Sequence, residues 1–377
     1  MNKLLYISML LEKNNYGGSV VSRQNLKAIK ANSQIEVAEI AILKKNEMTY
    51  KYEILSKPSR FSTAINNLKG FAGRLNPVIF NDILCIIQKY KPTVIYLDSS
   101  MLGIIAEYTK KNFPHIKIVT FFHNVERDFE LERLKNGKVQ FAPSLYSSIG
   151  SERKAAKYSD VIITLHRADS ERLEQLYNRK ADFLIPVCIG DDPLSICDND
   201  SSSNENDVFH IGFIGTAFFA NIEAAKFISD KISPRFSSIP KVQFIIAGNG
   251  FESYVNGLSK ENVKVCGYVE SLPDFYNNID AILSPITSGA GMKVKIAEAL
   301  KFNKRIIASE FSLIGYEQLN STDDITSCKH LEDYIRAIEN LVKSNASASH
   351  SRDMYLKYFS DAACASYFKR VLSKVLN

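Results

Sequence analysis

The sequence predicts an α/β protein of two Rossmann-like domains facing a central cleft. Three observations carry that prediction. Short apolar runs rich in Ile, Val and Leu alternate with amphipathic stretches along nearly the whole chain, as strands of parallel sheets covered on both faces do. A polar run, Asp198 to Asp207, interrupts the alternation near the middle, and the pattern then restarts. The chain has 377 residues, too many for one ordinary core.

In order, Lys3–Leu10 reads as a first strand, followed by a loop to Gly18 and a helix through Lys30. Ile35–Leu43 is a strand, Val78–Tyr90 a helix and Thr93–Leu97 a strand closed by Asp98. Ile116–Phe122 is a strand ending at His123-Asn124; helices near Asp128–Leu134 and Glu152–Tyr158 precede the strand Asp160–Leu165. Asp169–Tyr177 is helical and Phe183–Val187 a short strand. Beyond the polar run, Val208–Ile214, Val242–Ala247, Asn262–Val265, Ala281–Ser284 and Arg305–Ala308 are strands with helices between them. Leu331–Lys343 and Ser351–Val375 are closing helices. The expected division is therefore an N-terminal domain at 1–190, a linker at 191–207, a second domain at 208–350 and a C-terminal helix at 351–377 that crosses back to the first domain.

Composition narrows the function. Apolar content of 45% and charged content of 23% are those of a soluble globular protein, and no apolar run reaches the roughly 18 residues that span a bilayer. The short hydrophobic run Leu4 to Leu11 lacks a cleavage site and reads as a strand rather than a signal peptide, so the cytoplasm is the expected compartment. Six cysteines are scattered without metal or disulfide spacing. Residues 1–190 carry 28 Lys+Arg against 18 Asp+Glu, and the basic excess thickens between Lys44 and Arg74, with Tyr50, Tyr52, Phe61 and Phe71 interleaved. Such a stretch suits an anionic membrane surface or a lipid-phosphate substrate, and equally a solvated face. No nucleic-acid recognition motif accompanies it.

The most informative segment runs from Ser288 through Gly289, Ala290, Gly291, Met292, Lys293, Val294 and Lys295 to Glu298 and Leu300, directly after the strand Ala281–Ser284. Glycines let backbone N–H groups approach an anion, and a helix start adds partial positive charge. Lys295 and Glu298 are three residues apart and share a helix face, separated by roughly 4.5 Å along the axis. Phosphate at the helix start and a ribose diol one turn further is the outline of a nucleotide site; a solvated Lys–Glu pair is the plainer reading of those two residues alone. Gly17-Gly18 and His123 also fall at expected carboxyl ends of strands, where such sheets bind ligands.

These residues give the chain its resemblance to GT-B glycosyltransferases, specifically the large retaining family 4 of group 1 type. The resemblance rests on the Gly17-Gly18 loop, His123-Asn124-Val125-Glu126, Ile211 to Thr216 with Asn221, Ile245 to Gly250, Gly267-Tyr268-Val269 and the block from Pro285 to Leu300. It implies a C-terminal domain that grips a nucleotide-sugar donor, UDP- or GDP-linked, as substrate, and an N-terminal domain that receives a glycan or lipid-linked oligosaccharide acceptor. It assigns Glu298 to the ribose, Lys295 to the diphosphate, and Gly289, Ala290, Gly291, Met292 and Lys293 to the phosphates and sugar. Gly250, Gly267 and Tyr268 fall on the donor side, the last two lining the base; Thr216 and Gly17-Gly18 approach phosphate, and His123 meets the transferred sugar. It also implies no cofactor and no metal; the Asp198-Asn199-Asp200 spacing sits in the linker. Two departures from the family pattern stand out. Ala290 replaces a second glutamate, and Thr216-Ala217-Phe218-Phe219 replaces an Arg and a Lys, whose charge Lys293 and Lys295 are placed to supply. The expected activity is extension of a surface polysaccharide such as lipopolysaccharide or capsule, at the inner face of the plasma membrane. The alternatives are a non-hydrolysing nucleotide-sugar epimerase and a catalytically silent nucleotide-sugar-binding protein.

Overall fold

The structure is a computed structural model that describes residues 2–13, 17–32, 35–135, 139–191, 208–239, 241–319, 323–344 and 350–376. They form two compact units. One comprises Met1–Cys188 with Asp361–Asn377, the other Ile189–Ser360.

The first unit runs β1 (Asn2–Ser8), α1 (Gly17–Lys30), β2 (Ile35–Leu43), β3 (Tyr52–Leu55), α2 (Arg60–Leu68), α3 (Pro77–Tyr90), β4 (Val94–Leu97), α4 (Gly103–Asn112), β5 (Lys117–Phe122), α5 (Glu126–Lys135), α6 (Ala142–Tyr158), β6 (Val161–Thr164), α7 (Arg167–Tyr177) and β7 (Phe183–Leu184). Its sheet has the order β3-β2-β1-β4-β5-β6-β7, every pairing parallel. The order reverses between β1 and β4, the place where such sheets leave a crevice at their carboxyl ends. The two central strands are buried along almost their whole length, and Tyr6 stacks on Tyr96 with ring centroids 4.7 Å apart.

The second unit runs β8 (Phe209–Ile214), α8 (Phe219–Phe227), β9 (Val242–Ala247), α9 (Val255–Leu258), β10 (Val263–Val265), α10 (Leu272–Asn277), β11 (Ala281–Ser284), α11 (Val294–Lys301), β12 (Arg305–Ser309), β13 (Ile325–Cys328), α12 (Leu331–Ser344) and α13 (Ser351–Tyr358). Its parallel sheet has the order β10-β9-β8-β11-β12-β13, with the reversal between β8 and β11. A final helix, α14 (Asp361–Leu376), packs against α1 in the first unit.

Four elements were not expected from the sequence: β3, α2, α4 and β13. The two strands are sheet edges of four residues each, carrying Glu53 in one and Thr326 and Ser327 in the other, too short and too polar to stand out. α4 begins at a glycine because it packs hard against α6; a Cβ on Gly103 would lie 1.9 Å from the Ser151 carbonyl oxygen. The single closing helix expected over Ser351–Val375 is two helices, broken where buried Phe359 anchors the chain before it leaves the second unit. Of the linker at 191–207 only Asp191 is described. It takes a bidentate ion pair from Arg352 at 2.7 and 2.9 Å; the Asp198-Asn199-Asp200 spacing lies outside the described residues.

Candidate functional site

At the carboxyl end of the second sheet the turns after β8 and β9 are locked together. Gly215 N–H donates to the Ala247 carbonyl at 3.0 Å and Ala217 N–H to Asn249 at 2.8 Å. Gly248 has φ +131°, and a Cβ on it would sit 2.0 Å from the Gly215 carbonyl oxygen. No other residue permits that approach.

The glycine segment after β11 is held just as firmly. Ser309 and Ser312 both bond Ser284 or Ile286 from beneath, including Ser312 Oγ to the Ser284 carbonyl at 2.8 Å. Buried Tyr316 donates to the Lys293 carbonyl at 2.9 Å, and Met292 packs into the space that Gly315 leaves by having no side chain. Gly289 at φ +101° and Gly291 at φ +65° are left-handed, so helix geometry cannot begin there. The helix therefore starts only at Val294, beyond both glycines, with Lys293 as an extended N-cap. Lys293 folds back: its ammonium donates to the Ala290 and Gly291 carbonyls at 3.2 and 2.9 Å and lies 4.6 Å from the Phe311 ring centroid.

Lys295 and Glu298 do share a turn of α11, but not as a solvated pair. Lys295 is only 8% exposed. Its amine donates to Asn221 Oδ1 at 3.2 Å and stands 4.0 Å over the Phe213 ring. Burial pushes this amine down to about 7, opposed by the attraction of Glu298 and reinforced by the nearby charge of Lys293. The bare Cα of Gly215 faces it; a Cβ there would be 3.1 Å from the Lys295 amine and 2.6 Å from Asn221 Nδ2. Asn221 links the two, since its Nδ2 donates to the Thr216 carbonyl at 2.7 Å. Glu298 is half-buried and accepts from the Tyr276 hydroxyl at 2.9 Å. Burial raises its carboxyl, while the Tyr276 hydroxyl and the charges of Lys295 and Lys301 pull the other way. Tyr276 is fully buried and stacked on Phe302 at 4.8 Å, so its hydroxyl is held in place to orient the carboxylate.

The remaining expected donor residues are grouped at the neighbouring strand ends. Thr216 is half-buried beside Asn221. Gly250, at φ +90°, and Tyr268 both donate their backbone N–H to the exposed carboxylate of Glu252 at 2.7 Å; Gly267 sits so close to Glu252 that a Cβ would lie 2.4 Å from its side chain. Backbone donors, with Glu252's own N–H first, then Tyr268 and Gly250, hold that carboxyl below the ordinary range. The Tyr268 ring stands in solvent. Glu252 was not singled out from the sequence, where it is one surface carboxylate among many.

In the first unit Gly17 and Gly18 are the opening residues of α1. A Cβ on Gly18 would make only an ordinary 3.6 Å contact with Leu10, so packing does not require glycine there. His123 ends β5 with its ring turned into the unit: Nε2 is 3.1 Å from the Asp98 carbonyl, 3.4 Å from Asp98 Oδ1 and 3.5 Å from Ser22 Oγ. Ser8 Oγ donates to the other Asp98 oxygen at 2.6 Å. The ends of β1, β4 and β5 are thus tied by one fully buried carboxylate. Nearby, Glu152 on α6 is fully buried and caps a different helix. It accepts from the backbone of Glu126 and Arg127 at the start of α5, at 2.8 and 3.1 Å, and from Tyr177 at 3.0 Å. Burial raises the Glu152 carboxyl to about 7 and, with repulsion from Glu152 and Glu130, the Glu126 carboxyl to about 8.

Two helix-flanked parallel sheets, each with its order reversing beside the central strand, give the chain the GT-B architecture of glycosyltransferases. Residues 208–344 match the family described as glycosyl transferases group 1. The resemblance read from the sequence, to GT-B glycosyltransferases of the group 1 type, is therefore borne out. Among solved structures the chain is similar to Anabaena HepE in complex with UDP-glucose, at 13% identity over 99% of each chain with a TM-score of 0.67. It is also similar to WaaB, a lipopolysaccharide outer core galactosyltransferase, at 12% identity over 99% of each chain with a TM-score of 0.66. The complex of S. aureus MnaA with UDP follows at 12% identity over 100% of this chain and 97% of that one, with a TM-score of 0.58. No curated protein matches the chain.

Proposed function

We propose that the protein is a retaining hexosyltransferase that moves a sugar from a nucleotide-diphosphate sugar to a glycan or lipid-linked acceptor in surface-polysaccharide biosynthesis. One observation carries the reading: a rigidly held glycine loop runs into α11 at the carboxyl end of a strand, with buried Lys295 and half-buried Glu298 one turn apart. In the proposed complex the diphosphate lies against the loop and the start of α11, Lys295 faces it past the bare Cα of Gly215, and Glu298 accepts from the ribose diol. The sugar of HepE's bound ligand, UDP-glucose, makes UDP-glucose the first donor to try, with GDP-sugars beside it.

Transfer breaks the bond from the anomeric carbon to the diphosphate oxygen and forms one to an acceptor hydroxyl. The acceptor oxygen arrives on the face from which the phosphate departs, so configuration is retained, and its proton passes to the departing phosphate oxygen. Charge accumulates on the diphosphate as that bond stretches, and fixed donors aimed there stabilise the transition state more than the bound donor. Lys295 is suited to this work: in a water-poor site its positive charge acts at short range without reorganising. Lys293, now spent on two loop carbonyls, is a second cation that the phosphates can draw away. These groups take the role that a metal plays elsewhere, so transfer is proposed to be metal-independent. Glu126 and Glu152 are fixed within the first unit and have no part in the step.

The test is release of nucleoside diphosphate from UDP- and GDP-sugars, with and without lipid-linked acceptor, in wild type and Glu298→Ala. Turnover of one donor, lost in the variant, supports the assignment; epimerised donor without transfer would move it to the epimerase, and binding of donor without either product to the silent binder.

A further inference from the structure

α2 is built inside out. Its sequence, Arg60-Phe61-Ser62-Thr63-Ala64-Ile65-Asn66-Asn67-Leu68, repeats apolar residues at the i, i+4, i+7 spacing of one helical face. That face ought to turn to the core. Instead Phe61 is 77% exposed, Leu68 62% and Ile65 37%. The polar residue Asn67 is the one that is buried, and α2 packs on α6 with its apolar stripe outward. Leu55, at the end of β3, and Val78, at the start of α3, are exposed as well, on either side of an open groove that Lys69 also lines. Three large apolar side chains left exposed along one helical face are unusual on a protein that meets only water.

The charge around the stripe says what covers it. Lys57 before α2, Arg60 at its first position and Lys69 just after it are all exposed, and none is in an ion pair among the described residues. Two acids line the adjoining groove. Asp82 is exposed on α3, and Glu53 is already occupied: backbone N–H groups of Tyr50, Thr49, Glu47 and Met48 bond it and hold its carboxyl down to about 2. Its burial is slight and works the other way. A protein partner with a purely apolar face would leave the three cations unmatched. A lipid bilayer with anionic headgroups satisfies both features at once, because apolar side chains enter the acyl boundary while cations meet phosphate.

We propose that α2 is the element by which this protein docks on an anionic membrane, with Phe61, Ile65 and Leu68 inserted and Lys57, Arg60 and Lys69 at headgroup level. The reading is independent of the donor assignment. It also corrects the sequence-based expectation in detail, since Tyr50, Tyr52 and Phe71, interleaved with the basic residues, are half-buried in the unit, and the exposed stripe is supplied mainly by residues that the aromatic pattern passed over.

The experiment is co-flotation of the full chain with vesicles of phosphatidylcholine alone or mixed with phosphatidylglycerol. Wild type should float with the anionic vesicles and be released at about 1 M salt, where the screening length falls to roughly 3 Å. Phe61→Ser/Leu68→Ser and, separately, Lys57→Glu/Arg60→Glu/Lys69→Glu should each lower partitioning by about tenfold or more. All five side chains are exposed, so melting followed by circular dichroism should show both variants folded. Wild type that ignores anionic vesicles, variants that float like wild type, or a dimer in solution that the Phe61→Ser/Leu68→Ser change dissolves would each overturn the proposal. No nucleotide enters these measurements, so their failure would leave the glycosyltransferase reading intact.

Discussion

Both units bury ionisable groups at the carboxyl side of a parallel sheet, but of opposite sign and with opposite degrees of internal compensation. In the first unit Glu152 receives two backbone donors and a tyrosine hydroxyl, and Asp98 receives Ser8 and faces His123. Those carboxylates are satisfied by the fold itself, which is how a buried acid serves structure. In the second unit Lys295 has a neutral amide oxygen as its hydrogen-bond acceptor and an aromatic face beneath it, with Glu298 engaged by Tyr276. A buried cation left short of anionic partners is costly to the free protein. It becomes useful when an anion arrives. If the proposed donor site is right, the contrast separates a scaffold cluster from a ligand cluster more sharply than residue type does.

The largest expected effect breaks the ligand side. Lys295→Met should reduce UDP-sugar affinity on the order of 100-fold or more, because it removes the buried charge that the proposed complex sets opposite the diphosphate. The same change should stabilise the free protein. Its depressed pKa means the penalty of charging the buried amine is full below about 7 and disappears toward the unfolded value near 10.5. The variant should therefore gain about 2–4 kcal/mol at pH 6–7 and little at pH 10. Calorimetry with and without donor measures both; a variant that is less stable at pH 6 yet binds donor normally would make Lys295 a packing residue.

On the scaffold side the sign reverses. Glu126 has a carboxyl raised from 4.5 to about 8, so the folded protein holds a proton that the unfolded chain has released. The stability this leaves intact below about pH 4.5 is lost as pH rises through 8. Glu126→Gln should therefore match wild type near pH 4.5 and exceed it by about 2–3 kcal/mol at pH 9, with donor affinity unchanged. Parallel denaturation midpoints across that range would show that Glu126 is not the source of the alkaline loss.

A smaller effect couples the ligand cluster to solution pH. The amine at about 7 faces Asn221, Phe213, Glu298 and Lys293, and the diphosphate favours its charged form. Donor affinity should fall by up to about tenfold per pH unit above 7, and titrations in buffers of different ionisation enthalpy should show proton uptake. In Lys295→Met both signals should vanish; a pH-independent affinity in wild type would place the phosphates away from the amine.

Much of this was legible in the sequence, for reasons that vary by element. β9 and β11 occupy the expected residues because runs such as Val-Gln-Phe-Ile-Ile-Ala have no amphipathic alternative. The site's glycines were legible because positive φ at Gly289 and Gly291 leaves a compositional mark. What escaped was whatever depends on three-dimensional neighbours. The depth of Lys295 follows from Phe213 and Asn221 on distant segments. The role of Glu152 escaped because the helix it caps begins 26 residues earlier in the chain. The helix α2 went unread, and its outward face could not have been read from the pattern, since periodicity reports a stripe and not the direction in which it points.

Tyr276 gives the finest test of the contrast. Its hydroxyl is the hydrogen-bond donor fixing Glu298, and both burial and that carboxylate keep the phenol protonated and donating. Tyr276→Phe retains the stack on Phe302 and removes one bond worth about 1–2 kcal/mol to a charged acceptor. If Glu298 serves the ribose, the freed carboxylate should bind the diol in a wider range of orientations, weakening the donor by roughly threefold to tenfold while the affinity for inorganic diphosphate stays the same. Tyr177→Phe removes the equivalent hydroxyl from Glu152 and should shift stability without touching donor affinity at all. Equal effects of the two phenylalanines on binding would erase the distinction between a cluster built to hold the fold and one built to hold a ligand.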